Sequence, residues 1–451
     1  MENTSFQFEK RSLDILKKAL YEMEAGFENL PETCEQFDYD KIEEAMMALA
    51  RRMRDNYPYF HPLYAGQMLK PPHPASRIAY MLSLWVNPNN HALDGGKASS
   101  RMEKEAVAKI AEMFGWAEHL GHLTGGGTMA NLEALWISGR LHPGKKIIAS
   151  EQAHYTHGRI SEVLGIDFQA VPCNAQAEMD MKALRAILEQ GNVGTVVATM
   201  GTTATGSVDP LPEILKLQEE FGFRIHADAA YGGYFTLAGN LGSSARAALD
   251  HLVRVDSIVI DPHKHGLQPY GCGCVIFRDP SVGRFYKHDS PYTYFTSSDI
   301  HLGEISLECS RPGAAAAALW AVQQVLPYDR DGEFARNISK CRAAAVELYE
   351  KIRESGRFLT IFPPELDITV WAPKGKKASE ISALSERIFG KAEEKNLYLA
   401  IFRYPSKLLK DIWVDVEFDE PYVTCLRSCL MKPEHDEWID RIWRIIEEIQ
   451  V

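Results

Sequence analysis

The chain has 451 residues, 45% of them hydrophobic and 24% charged, with a formal net charge of −12. That length is too great for one small core and suits two or three packed units of an ordinary soluble globular protein. The acidic balance, the lack of a Lys/Arg-rich run and the lack of any apolar stretch of 18 residues argue against nucleic acid, an anionic membrane surface or a membrane-spanning helix.

The chain opens on MENTSFQFEKRSLDILKKAL, charged throughout and without the apolar stretch or cleavage site of a signal peptide, so a cytoplasmic location is expected. Apolar residues recur at helical spacing over 8–27 (Leu13, Ile15, Leu16, Leu20) and 38–55 (Ile42, Ala45, Met46, Leu49). A loop rich in Pro and His, HPLYAGQMLKPPHP, fills 61–74. From about 100 to 280, helical stretches such as 180–190 and 210–221 alternate with short apolar runs. KIIAS (146–150), TVVATM (195–200), FRIHAD (223–228), SIVID (257–261) and GCVIF (273–277) read as strands. Runs of this kind between helices indicate an α/β fold with a largely parallel sheet covered on both faces.

A helical segment at 314–325 follows the sequence SRPG. A smaller α+β unit is then expected: a helix over 333–355, strands near 358–362, 367–371, 412–418 and 424–430, and a last helix over 434–449. The layout predicted is an N-terminal helical segment (1–99), a large α/β domain (100–330) and a small C-terminal α+β domain (331–451). The eight cysteines stand singly apart from Cys272 and Cys274, which fits neither a disulfide scaffold nor a two-pair zinc site. They read as reduced thiols, and no metal is expected.

Polar motifs follow four of the predicted strands: SEQAHYTHG, GTTATG, DAAYGG and DPHKHG. Ligands of open α/β sheets bind at the carboxyl ends of the strands. Lys264, flanked by His263 and His265, is placed where burial disfavours the ammonium form, which equips a lysine to form a Schiff base with an aldehyde. A salt bridge to Asp261 is the plainer alternative for an isolated His-Lys pair. Asp228 favours the first reading, because a carboxylate aimed at a pyridine nitrogen keeps it protonated, as pyridoxal phosphate chemistry requires. The small residues Ala229, Ala230, Gly232 and Gly233 leave room for a flat ring beside it.

The stretch LTGGGTMAN (123–131) runs into an apolar-periodic helix, so Gly126, Gly127 and the Thr128 hydroxyl suit a phosphate at a helix N-terminus. It is neither a Walker loop, since no Gly-Lys-Ser/Thr follows, nor a GxGxxG turn, since the third glycine and a preceding parallel strand with a ribose-binding acid are lacking. His154 is placed to stack on the cofactor ring and assist proton transfer, and Thr203 to hydrogen-bond it. His157 reads as structural or as a surface residue.

These motifs, in this order, closely resemble the group II pyridoxal-phosphate-dependent amino-acid decarboxylases, the family of aromatic-amino-acid and glutamate decarboxylases. The likeness runs from HPLYAGQM near 61 to LRSCLMKP near 433. It implies a fold type I (aspartate-aminotransferase-like) subunit, working as a homodimer with active sites at the interface. By resemblance Lys264 is the Schiff-base lysine, Asp228 the partner of the ring nitrogen, His154 the stacking histidine and Ala230 its counterpart on the opposite face. Gly126, Gly127 and Thr128 form the phosphate loop, Thr203 lies near the ring hydroxyl and His263 near the phosphate. Arg427 resembles the arginine that receives the substrate carboxylate in the glutamate branch, with a surface salt bridge as the alternative.

LQPYGCGCVIF (267–277) and LECSRPGAAAAALW (307–320) are most similar to the tyrosine-decarboxylase branch, whereas HPLYAGQM is similar to the pocket loop of glutamate decarboxylases. Tyr64, Gln67 and Met68 would then face the substrate side chain, with Tyr59, Phe60 and Trp85 as further aromatic surface and Lys70 as a possible partner for an acidic substrate. An aromatic amino acid such as tyrosine leads, with glutamate or aspartate as the alternative. In this family a mobile loop commonly carries the proton donor, often a tyrosine, and the segment 288–299 offers Tyr292 and Tyr294. Some relatives deaminate oxidatively instead. SRPG and the His-Lys pair also resemble sphingosine-phosphate lyases, which are typically membrane-anchored. A non-catalytic binding protein would not require Lys264, Asp228 and His154 together.

Overall fold

The computed structural model describes residues 10–31, 33, 36–287 and 301–449. The N-terminal helices are α1 (Lys10–Ala25), α2 (Tyr39–Met53), α3 (Pro74–Leu84) and α4 (Lys97–Met113). The large sheet unit then runs β1 (Leu120–Thr124), α5 (Gly127–Leu141), β2 (Lys146–Ser150), α6 (Thr156–Leu164), β3 (Phe168–Val171), α7 (Met181–Glu189) and β4 (Val193–Thr199). It continues through α8 (Leu211–Phe221), β5 (Arg224–Asp228), α9 (Ser243–Asp250), β6 (Ser257–Ile260) and β7 (Gly273–Phe277) to α10 (Gly313–Val325). The C-terminal part comprises α11 (Glu333–Glu354), β8 (Phe358–Thr360), β9 (Ile368–Pro373), α12 (Ala378–Glu394), β10 (Ala400–Pro405), β11 (Tyr422–Cys429) and α13 (His435–Glu448).

The seven-stranded sheet has the order β1-β7-β6-β5-β4-β2-β3. β2, β3, β4, β5 and β6 pair in parallel, while β7 is antiparallel to both β6 and β1. Only β7 is therefore reversed, and β1 points the same way as the parallel strands. β4 (VGTVVAT) is buried at every position, which is why it reads as an unbroken apolar run. The connecting helices carry local start and stop signals. Asp180 caps α7 by accepting from the amides of Lys182 (2.8 Å) and Ala183 (3.1 Å). Gly222 ends α8 in the left-handed region at φ +71°, turning the chain into β5. α10 (GAAAAALWAVQQV) packs against α3 and α4, and its small residues permit the approach: a Cβ on Gly313 would stand 2.5 Å from Ser99 Oγ.

The second sheet is antiparallel, in the order β10-β11-β9-β8. Trp371, Leu348, Ile388 and Ile442 form part of the core beneath it. One predicted strand is corrected here. Residues 412–418 alternate apolar and polar, yet the Trp413 amide closes a turn on Leu409 O (2.7 Å) and its indole donates to Thr360 O (2.8 Å). The strand that pairs with β11 is β10 instead. The glycine-rich loop follows a strand, β1, that is absent from the predicted set.

Candidate active site

The carboxyl ends of β1, β2, β4, β5 and β6 share one edge of the large sheet, and the loops leaving them enclose a cavity of about 540 Å³. Adjacent strand ends are in register there, with Thr199 beside Asp228 and Asp228 beside Val259. Gly126, Gly127, Thr128, His154, Thr203, Asp228, Ala230, His263 and Lys264, the residues expected to hold a cofactor, all line this cavity.

Lys264 Nζ lies 3.0 Å from Asp261 Oδ2, so the salt bridge considered as an alternative exists, and it exists inside the cavity. Asp228 Oδ2 is bonded to His157 Nε2 at 2.9 Å, and its Oδ1 accepts from the Ala230 amide at 3.2 Å. Burial by itself would raise the Asp228 carboxyl. The His157 hydrogen bond and the charges of His157 and Lys264 outweigh it and hold the group well below the usual carboxylate range. His154 Nδ1 accepts from the Thr156 amide (3.3 Å) and pairs with the Thr156 hydroxyl, while its ring stacks on Tyr155 at 4.4 Å between centroids. Burial pushes the His154 imidazolium below its ordinary pKa, which favours a neutral ring. His263 is fixed by Nδ1 on Cys272 O (2.8 Å).

At the glycine-rich loop, Gly126 takes φ +146°, a conformation that disfavours side chains. α5 then starts at Gly127 without a side-chain cap, leaving first-turn amides free for an anion. A Cβ on Gly127 would meet Asp261 Oδ2 at 2.7 Å, so loop and cavity floor are held close. The Gly125 amide donates to Glu308 at 2.8 Å.

His157 was expected to be structural or exposed, and the structure excludes exposure. It is fully buried and is the direct partner of Asp228. The readable signal was its position three residues after His154, one helical turn away at the start of α6. Behind it His226 joins Ser257 Oγ (2.9 Å) to Asn131 Oδ1 (2.8 Å), and burial drives its pKa down to about 3. Asn131, Thr199 and Glu308 also line the cavity unforeseen. The glycines after Asp228 serve packing more than ring space. A Cβ on Gly232 would stand 2.0 Å from Met200 O, and one on Gly233 2.8 Å from Ile260 Cδ1. Neither lines the cavity, whereas Ala230 does.

The residues expected to meet the substrate fall into two groups. Arg427 is buried at 5% exposure and makes no ion pair among the described residues, which corrects the surface salt bridge. Its guanidinium donates to Thr203 O (2.7 Å), Gln67 Oε1 (2.9 Å) and Gly66 O (3.3 Å), linking the Gln67 loop to the cavity wall. Tyr64 instead lies buried among aromatics, 4.9 Å from the Tyr59 ring. Met68 packs against the main core, and Lys70 lines a different cavity. Tyr292 and Tyr294 lie outside the described residues.

Thr199 Oγ1 and Asp261 Oδ1 are buried without a protein partner among the described residues, and both residues line the cavity. Together with free helix N-terminal amides, a lysine, an ionised carboxylate and an imidazole, they fit pyridoxal phosphate. The family profile described as "Pyridoxal-dependent decarboxylase conserved domain" matches residues 133–371. The chain is similar to the L-tyrosine decarboxylase of Enterococcus faecium, 25% identical over 460 residues, 77% of this chain and 74% of that one. It is also similar to the L-aspartate decarboxylase of Thermococcus kodakarensis, 30% identical over 290 residues, 64% of this chain and 74% of that one. The fold matches Catharanthus roseus tryptophan decarboxylase, solved in complex with L-tryptophan, with TM-score 0.74 at 19% identity over 97% of this chain and 96% of that one.

Proposed function

The chain belongs to the pyridoxal-dependent decarboxylase family and is a pyridoxal-phosphate-dependent amino-acid decarboxylase, and we propose that its substrate is an aromatic L-amino acid, tyrosine first. The single observation that carries the catalytic reading is the meeting of Lys264, His154 and the His157-held Asp228 around one cavity at the strand ends. Pyridoxal phosphate, when bound, supplies an aldehyde for an amine and a ring that takes up the electrons left by loss of CO₂. The free amides of α5, Thr128 and His263 would hold its phosphate, and Lys264 its aldehyde carbon. Asp228, held ionised by His157, would keep a proton at the ring nitrogen. His154 and Ala230 would bound the two ring faces and exclude water. Arg427, steadied by Gln67 and Thr203 O, is a cation for a substrate carboxylate. Tyr292 or Tyr294 would return the proton to Cα.

The aromatic preference is supported by the likeness to the L-tyrosine decarboxylase of Enterococcus faecium, which extends over 77% of this chain. A second reading, an acidic substrate, draws on the buried Arg427 cation, which has no carboxylate partner among the described residues. Both names occur among the relatives. We further propose a homodimer, because α2 buries none of its own residues and leaves Ile42, Met46, Met47, Leu49 and Met53 at least 43% exposed. The division at about 99 and 330 remains our reading of the domain layout.

The test is CO₂ and amine release from each L-amino acid with added pyridoxal phosphate. Amine from Tyr, Phe or Trp is expected, and amine from Asp or Glu alone would transfer the assignment to the acidic reading. Lys264→Ala should lose amine release and the covalently held cofactor absorbance together.

A further inference from the structure

A second cavity of about 320 Å³ lies beyond His265, the residue after Lys264, and shares no lining residue with the first. Its walls come from the loop before α3, the start of α11 and the segment between β11 and α13. Two lysines enter it. Lys432 is 3% exposed, and its Nζ donates to Tyr64 O at 2.6 Å. Lys70 Nζ donates to Met431 O at 3.2 Å. Each ammonium carries three N–H groups, and these are its only protein acceptors among the described residues.

Neither ammonium has a carboxylate within 4.0 Å among the described residues. The buried acid nearby is already committed: Asp367 accepts from Tyr231 OH at 2.6 Å and meets His265 Nε2 at 3.2 Å. Glu333 and Glu434 line the same cavity but are exposed and make no ion pair with either lysine. Of the other titratable groups lining it, burial lowers His73 and His265 and pushes the Cys341 thiol far up, so none supplies a negative charge at neutral pH. A buried ammonium, Lys432, and a half-buried one, Lys70, thus face one roomy space with no carboxylate in contact. Asp367 and Glu434 act on them only from further off, and a buried charge is costly unless closely paired.

We propose that this cavity is a binding site for a small dianion, held by Lys70 and Lys432 and separate from the catalytic cavity. The chemistry is that of a compact dicarboxylate or an inorganic oxyanion. Burial sets the Lys432 ammonium at about 7 and lowers that of Lys70 as well, so the unliganded site loses positive charge as pH rises through neutrality. Anion affinity therefore falls from pH 6.5 upward.

Calorimetric titration of the cofactor-loaded enzyme with succinate, and separately with sulfate, tests this, since both probes keep their charge above about pH 6.5. Binding of either to one site per chain is expected, weaker at pH 8.5 than at pH 6.5. Binding of succinate alone assigns an organic acid, and binding of sulfate alone an inorganic anion. Lys432→Met and Lys70→Met should each weaken it by at least about tenfold. Both variants should keep the visible absorbance of the bound cofactor, because an apolar isostere relieves an unpaired buried charge. The proposal is overturned if neither probe binds, if both variants bind as the wild type does, or if the amino-acid substrate displaces the probe, which would place it in the catalytic cavity.

Discussion

In the proposed reading Asp228 carries the largest burden of any one residue, because it would have to stay charged while buried. Its partner His157 touches neither cavity nor ligand and acts as a positioning residue. His157→Phe should lower kcat roughly tenfold to a hundredfold, the worth of a hydrogen bond to a charged group at about 1.5–3 kcal/mol. The informative readout is the pH profile. Burial alone raises the Asp228 carboxyl, so loss of His157 moves the acid limb of the rate to higher pH. His157→Gln, which still donates, should restore part of the shift, and an unmoved acid limb would show that His157 only packs. Lys264, Asp228 and His154 were legible because each sits in a motif at the end of an apolar run. His157 was not, because its pairing with Asp228 spans 71 positions and depends on how α6 lies over β5.

Among the elements, the turn from β4 into α8 that presents Thr203 is held by a buried acid, Asp209, and a half-buried one, Glu365. Asp209 accepts from the Thr199 and Met179 amides, both at 2.7 Å, and Glu365 from the Val208 amide at 2.8 Å. Burial pushes both carboxyls up to about 7. The sign follows: between about pH 4, where the unfolded groups ionise, and pH 7 the folded chain binds more protons, so stability falls as pH rises. Glu365→Gln, which keeps the acceptor without the charge, should stabilise the protein at pH 8 by roughly 1–3 kcal/mol and flatten that slope, measured by urea unfolding from pH 5 to 8. A variant with the wild-type slope would exclude Glu365 as its source. Strand identity was readable where both faces are buried, as in β2 and β7. It failed at 412–418, where period-two alternation was real but Trp413 was drawn to Thr360, a contact invisible to local pattern.

For the whole molecule, the exposed apolar face of α2 predicts the assembly. Met46→Glu combined with Leu49→Glu should turn a dimer into monomers in sedimentation and lower the rate with it, while a wild-type enzyme already monomeric at assay concentration would remove the interface. The sequence by itself determined the alternation of helices with buried strands, the motifs at the strand ends and hence the family and its cofactor, since these are local and ordered along the chain. It could not specify that β7 runs against its neighbours, that Arg427 from the small sheet reaches Thr203, or that Lys70 and Lys432 face one cavity 362 positions apart. Those were decided by tertiary packing, because strand direction, the fate of a buried charge and the joining of distant loops depend on which surfaces meet.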